Sequence, residues 1–181
     1  VLSAFARVLA PVFCVFTCAC ALSGTARLNL KPARHVYVLP VTNRTDEENL
    51  DVVFSRIADS AFHSDPRFVV DAPPQPGRTI VVKTVVVSVS SFAVGFDRFD
   101  RAVEYELTVK VRVELFRYGY RKPFKVLSVE RYDYYSARGS AEAIELRRKE
   151  CMESIAYQIF REVAELMVAG EGVEASQSAG R

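Results

Sequence analysis

Residues 103–116 read VEYELTVKVRVELF, with apolar and polar residues alternating almost without error. Val103, Tyr105, Leu107, Val109, Val111, Val113 and Leu115 take one parity. Glu104, Glu106, Thr108, Lys110, Arg112 and Glu114 take the other. Successive side chains on a strand point to opposite faces, so the period of two predicts one long strand with a buried and an open face. Such a strand needs a sheet, and one face of that sheet needs a cover. The open face carries charge of both signs.

The flanking segments supply the rest of the sheet and its cover. Residues 35–41 (HVYVLPV) predict a first strand, with Pro40 at its end or on an edge. Thr45-Asp46-Glu47-Glu48 matches a capping box and predicts a helix start. Leu50, Val53, Phe54, Ile57, Ala58, Ala61 and Phe62 then form one helical stripe, which Asp65-Pro66 ends. Residues 67–71 make a short strand, and residues 72–77 (APPQPG) a rigid turn. Residues 79–91 (TIVVKTVVVSVSS) are β-branched, apolar in places on both parities, and predict a strand with neighbours on both sides. Gly119 turns the chain into a strand over residues 124–135. Its apolar parity shifts between Val126 and Leu127, which predicts a bulge. Ser140 is positioned to cap a second helix, whose stripe includes Cys151, Ile155, Ile159, Phe160, Val163 and Met167 and which Gly170 ends. The expected fold is α+β, a two-layer sandwich. Two helices pack on one face of a mostly antiparallel or mixed four-stranded sheet, in a single domain over residues 34–169.

At 181 residues, half of them hydrophobic, the chain has the length of one domain and enough apolar side chains for a core. A net charge of +2 without a basic run argues against nucleic acid as a partner. Cys14, Cys18 and Cys20 crowd the N-terminus and only Cys151 lies beyond, which is neither a zinc spacing nor a disulfide framework. Residues 8–22 (VLAPVFCVFTCACAL) form an apolar run of signal-peptide size, shorter than a membrane span and interrupted by Pro11. Thr17-Cys18-Ala19-Cys20 resembles the lipobox of bacterial lipoproteins, with Ala19 before an acylated Cys20. Several acyl chains, palmitate among them, would hold the protein firmly on a membrane. Cys18 is a weaker acceptor, and an ordinary cleaved leader or an uncut anchor are the alternatives. Residues 1–20 are therefore read as signal peptide and lipobox, 21–33 as linker, and the polar residues 170–181 as a disordered tail.

No catalytic signature, metal set or cofactor motif is present, and the chain is not read as an enzyme. His35 falls at a strand start and His63 at a helix end, where each has a structural role. Glu104 and Glu106 share a face with cations and are no isolated carboxylate pair. Cys151 sits on the apolar stripe as a small core residue. Strand direction is more informative. If the last three long strands run up, down and up, the loops holding Arg98 and Arg101 and that holding Arg138 meet at one end. Arg121, Lys122 and Lys125 lie at the other. Guanidinium groups suit bidentate contacts with phosphate, although composition alone reads these three as solvated loop arginines.

The leader and near-lipobox, then HVYVLPVTNRT and an amphipathic helix, resemble the start of the lipopolysaccharide-assembly lipoprotein family LptE. So does VEYELTVKVRVELF followed by a second long strand, RYDYYSARGSAEAIELRRKE and a C-terminal helix. The resemblance covers roughly residues 20–169. It implies a two-layer domain anchored by lipid at the periplasmic face of the outer membrane. It implies an LptD-type β-barrel translocon as partner, whose lumen the lipoprotein plugs, and binding of lipopolysaccharide. It places the basic residues implicated in that binding on Arg98, with Arg101 nearby, and on or near Arg138. A polar barrel wall would suit the mixed charge of Glu104, Glu106, Lys110 and Arg112. VYVLPVTNRT also resembles the opening strand of small periplasmic lipoproteins that activate peptidoglycan synthases or build secretion assemblies, which is the alternative function.

Overall fold

The computed structural model describes residues 34–169; the leader with Cys20, the linker and the expected tail lie outside the described residues. The order is β1 (Arg34–Val38), β2 (Thr42–Asn43), α1 (Leu50–Ser64), β3 (Phe68–Val70), β4 (Ile80–Phe96), β5 (Ala102–Arg117), β6 (Lys125–Ser136) and α2 (Ala141–Ala169). The strands form one sheet in the order β3-β1-β4-β5-β6, with β2 also beside β4. Its first part is parallel: α1 carries the chain across from β1 to β3, and β1 pairs with β4 from Val36–Ile80 to Val38–Val82. The second part, β4 to β6, is an antiparallel meander.

This sheet is mixed, but it has six strands rather than four. The additional strands are short. β2 is two residues, Thr42 and Asn43, set against Val85 and Val86; β3 is three. β3 falls within the short strand expected over residues 67–71; β2 went unread, because two residues hold too little periodicity to be told from loop by pattern.

The alternation of β5 sorts as its sequence demands. Leu107, Val109, Val111, Val113 and Leu115 are buried, while Lys110 and Arg112 are exposed. Both helices lie on the buried face and share one core with it. Phe160 of α2 meets Phe54 of α1 edge to face, with centroids 6.2 Å apart, and Phe62 meets Phe68 at 5.2 Å. Each such side chain contributes roughly 1.5–3 kcal/mol by leaving water. Ser140 caps α2, its Oγ accepting the Ala143 N–H at 3.3 Å.

Two local expectations are corrected. The capping-box threonine does not cap: α1 begins at Leu50 behind Asn49, a left-handed residue with φ 56°. Asn43 Oδ1 instead accepts from the Thr45 N–H at 2.9 Å and hydroxyl at 2.8 Å, and Thr45 Oγ1 accepts the Glu47 N–H at 3.3 Å. Local side-chain turns captured the groups that a helix start would have used. Nor is there a bulge in β6, which pairs with β5 without a slip. The irregularities lie in β4, between Val86 and Ser88 and between Ala93 and Phe96. Val126 is simply an apolar residue on the open face, which single positions tolerate.

Candidate functional site

The meander brings the β4–β5 turn and the β6–α2 loop to one end of the sheet. Ala137 N–H donates to Val103 O at 2.9 Å, so the loop holding Arg138 is tied to the start of β5. Asp97 organises the turn: its Oδ1 accepts the N–H of Phe99 at 2.8 Å and of Arg101 at 3.1 Å. Its backbone closes the turn too, with the Asp97 N–H bonded to Arg101 O at 2.9 Å.

The three arginines expected here share this end but are not equivalent. Arg101 bonds Asp97 Oδ2 through Nε at 2.9 Å and Nη2 at 2.8 Å, so a carboxylate already offsets its charge. Those bonds, with Arg138 adding a more distant attraction, hold the Asp97 carboxyl below the usual carboxylate range. Arg98 has no carboxylate partner among the described residues, and its guanidinium lies over the Phe99 ring, 4.7 Å from the centroid. Arg138 is exposed and its own carbonyl is held by Arg147, which also donates to Ser136 O at 2.8 Å. Arg121 and Lys122 lie in the turn at the opposite end, and Lys125 at that end donates to Leu166 O of α2 at 3.0 Å.

Sequence reasoning missed the apolar half of this end. Phe92, Val94, Phe96 and Phe99 are all exposed, Phe99 to 62%. The signal was available in SSFAVGFDRF, where apolar residues continue past the part of β4 that any helix covers. Cationic and aromatic groups side by side are chemically matched to an amphiphile bearing phosphate and acyl chains.

On the open face, charges of opposite sign are paired across and along the strands. Lys110 pairs with Glu130 at 3.2 Å across β5 and β6, while Arg112 at 3.1 Å and Lys83 at 3.2 Å both reach Glu114. Lys83 first, then Arg112, holds the Glu114 carboxyl below its ordinary value. Most of the charge is therefore matched within the sheet. Glu104 and Glu106 stand nearer the arginine end, where Glu106 neighbours Tyr134 and pushes its hydroxyl pKa up. Tyr134 and Tyr132 meet edge to face at 5.7 Å, and both are about half exposed. These tyrosines went unnoticed because they alternate with Arg131 and Asp133 and read as part of a polar run.

Two other features are structural. His35 Nδ1 lies 2.8 Å from Asp71 Oδ1, and Thr79 donates its hydroxyl to the other oxygen, joining β1, β3 and β4 at the far end. A cleft of about 1110 Å³ opens between the residue 44–49 loop, β4 at Val87–Val89 and α2 at Arg148 and Met152. Among the described residues no cluster of His, Cys, Asp and Glu is suited to a metal ion, and no helix is long and apolar enough to cross a membrane.

Fold and site together define a two-layer α/β module with an amphiphilic end, cationic and aromatic. The family model described as "LptE: Lipopolysaccharide-assembly" matches residues 33–169, and the chain belongs to that family. Solved structures share the fold. Rare lipoprotein B from Shewanella oneidensis is 13% identical with a TM-score of 0.57, covering 78% of this chain and 99% of its own. A Xanthomonas campestris protein is 8% identical with a TM-score of 0.53, covering 80% of this chain and 90% of its own. At these identities the likeness is one of fold alone. Among curated proteins none matches.

Proposed function

We propose that this protein is an outer-membrane lipoprotein, anchored through Cys20 at the periplasmic face. In this role it plugs an LptD-type β-barrel and assists insertion of lipopolysaccharide into the outer leaflet. Family membership supports a role in lipopolysaccharide assembly. The observation that carries the binding role is the end of the sheet where Arg98, Arg101 and Arg138 adjoin exposed Phe92, Phe96 and Phe99. Phosphates of the ligand meet the guanidinium groups, and its acyl chains meet the rings. The open face turns toward the barrel wall. Glu104, Glu106, Lys110 and Arg112 match a polar lumen, and Tyr132 and Tyr134 supply the amphipathic contact area typical of interfaces.

Purification of the tagged protein from detergent-solubilised outer membranes tests the assembly role. A stoichiometric large β-barrel is expected. Recovery of a peptidoglycan synthase or a secretion component without a barrel would replace this reading by the alternative. Loss of lipopolysaccharide binding in Arg98→Ala and Arg138→Ala tests the site itself. Unchanged binding in both would remove the site assignment while leaving the plug role standing.

A further inference from the structure

β4 is only partly covered on the side away from β5. β1 pairs with it from Ile80 to Val82, β2 pairs with Val85 and Val86, and the last bond on that side runs from the Arg44 N–H to Val86 O at 3.1 Å. From Val87 to Phe96 the strand has β5 on one side and no strand on the other among the described residues. That segment reads VSVSSFAVGF, with neither a charge nor a proline. Val87, Phe92, Val94 and Phe96 along it are 46–61% exposed. Free edges are ordinarily protected by charge, proline or shortness. The sheet's other long edge follows that rule: β6 carries Lys125, Glu130, Arg131 and Asp133. The β4 edge has only its bulges, and those leave the run from Ser88 to Ala93 regular.

We propose that this edge pairs antiparallel with the same edge of a second copy of the chain, joining two sheets into one across a two-fold axis near Ser91. Two features favour a second copy as the occupant. An uncharged edge brings no like charges together when it meets itself. The two ends of the segment are also complementary. At one end the β4–β5 turn carries Arg98, which has no carboxylate partner. At the other, where β2 ends, the cleft loop carries Asp46, Glu47 and Glu48. Glu47 is taken by Arg148, whereas Asp46 and Glu48 form no ion pair among the described residues. An axis at Ser91 sets Gly95 of one copy beside Val87 of the other, just beyond the Val86 that β2 occupies. Each turn then lies along the opposite copy's acidic loop, and the contact occurs twice by symmetry. Main-chain hydrogen bonds supply the pairing, as in strand addition generally. Self-pairing needs neither a barrel nor lipopolysaccharide, but it engages Phe92, Phe96 and Arg98 of the proposed binding end, so the dimer and the lipopolysaccharide-bound chain exclude one another.

The test is the oligomeric state of the full chain in detergent, by sedimentation equilibrium over about 1–100 μM. A monomer–dimer equilibrium is expected. Phe92→Lys and Val94→Lys, both at exposed positions that leave the core intact, are expected to weaken it at least about tenfold by placing charge on the edge. Glu48→Lys weakens it several-fold, at roughly the scale of one surface ion pair repeated by symmetry, and Glu48→Lys with Arg98→Glu restores it. With Cys14, Cys18 and Cys20 changed to Ser, Ser91→Cys gives under mild oxidation a disulfide-linked dimer that neither that background nor Tyr157→Cys on exposed α2 gives. A chain monomeric throughout this range overturns the proposal. So does a dimer that tolerates both edge lysines and fails to cross-link at position 91.

Discussion

Arg98→Ala removes the guanidinium of the β4–β5 turn that no carboxylate neutralises, while Arg101→Ala removes one already bonded twice to Asp97. The two substitutions delete the same charge from the same turn, yet their effects on lipopolysaccharide binding should differ. A charge-assisted hydrogen bond contributes about 1.5–3 kcal/mol, and exposure and salt press Arg98 to the low end of that range. About 1.4 kcal/mol is a factor of ten, so Arg98→Ala should weaken binding about tenfold near physiological salt. A phosphate reaching Arg101 must compete with Asp97 at 2.8 Å, which leaves less net gain, and Arg101→Ala should weaken binding less than about threefold. Asp97→Asn should strengthen it a few-fold, because the amide still accepts the turn N–H groups while the counter-charge is gone. Fluorescence titration of labelled lipopolysaccharide at two salt concentrations measures all three, and the Arg98 effect should shrink at the higher salt. Equal losses from Arg101→Ala and Arg98→Ala, or weaker binding by Asp97→Asn, would refute this difference between the two arginines.

Other consequences concern stability and reactivity. His35, then Thr79, holds the Asp71 carboxyl below its ordinary value. That stabilisation is full above the unfolded value near about 3.9 and fades as pH falls through the lower folded value. Asp71→Asn should therefore cost about 1–3 kcal/mol at neutral pH, with the gap to the parent narrowing only in strong acid; equal gaps in urea titrations at pH 7 and well below 3.9 would contradict this. A Cβ at Gly95 would sit 2.9 Å from Glu104 Cβ, so Gly95→Val forces the β4–β5 backbones apart. It should cost roughly 1–3 kcal/mol, read as a lower Tm. Burial pushes the Cys151 thiol up to about 11, so maleimide at neutral pH should label that position only after unfolding.

Much of the architecture was legible because it rests on period. The stripes of α1 and α2 and the alternation of β5 record which faces lose water, and burial follows them at Phe54, Val111 and Phe160. Where a residue has two local uses, pattern failed. Thr45 fits a helix cap and an Asx-type turn equally well, and the turn prevailed because Asn43 stands two residues before it. The arginine end was legible in outline, since strand direction alone brings Arg98 and Arg138 to one end. Their inequality was not legible, because it depends on which guanidinium Asp97 reaches.

What the sequence alone determined is the identity of the layers: one long two-faced strand, two helices with a single apolar stripe each, and the faces they share. Solvent exclusion acts on each segment separately, so each carries its own instructions. What only the tertiary structure decided is pairing: two short parallel strands that complete the sheet, a β4 edge left open beyond Val86, and a charge ladder matched within its own face. Backbone hydrogen bonds and ion pairs join residues distant in the chain, and no local periodicity records which partner each one meets.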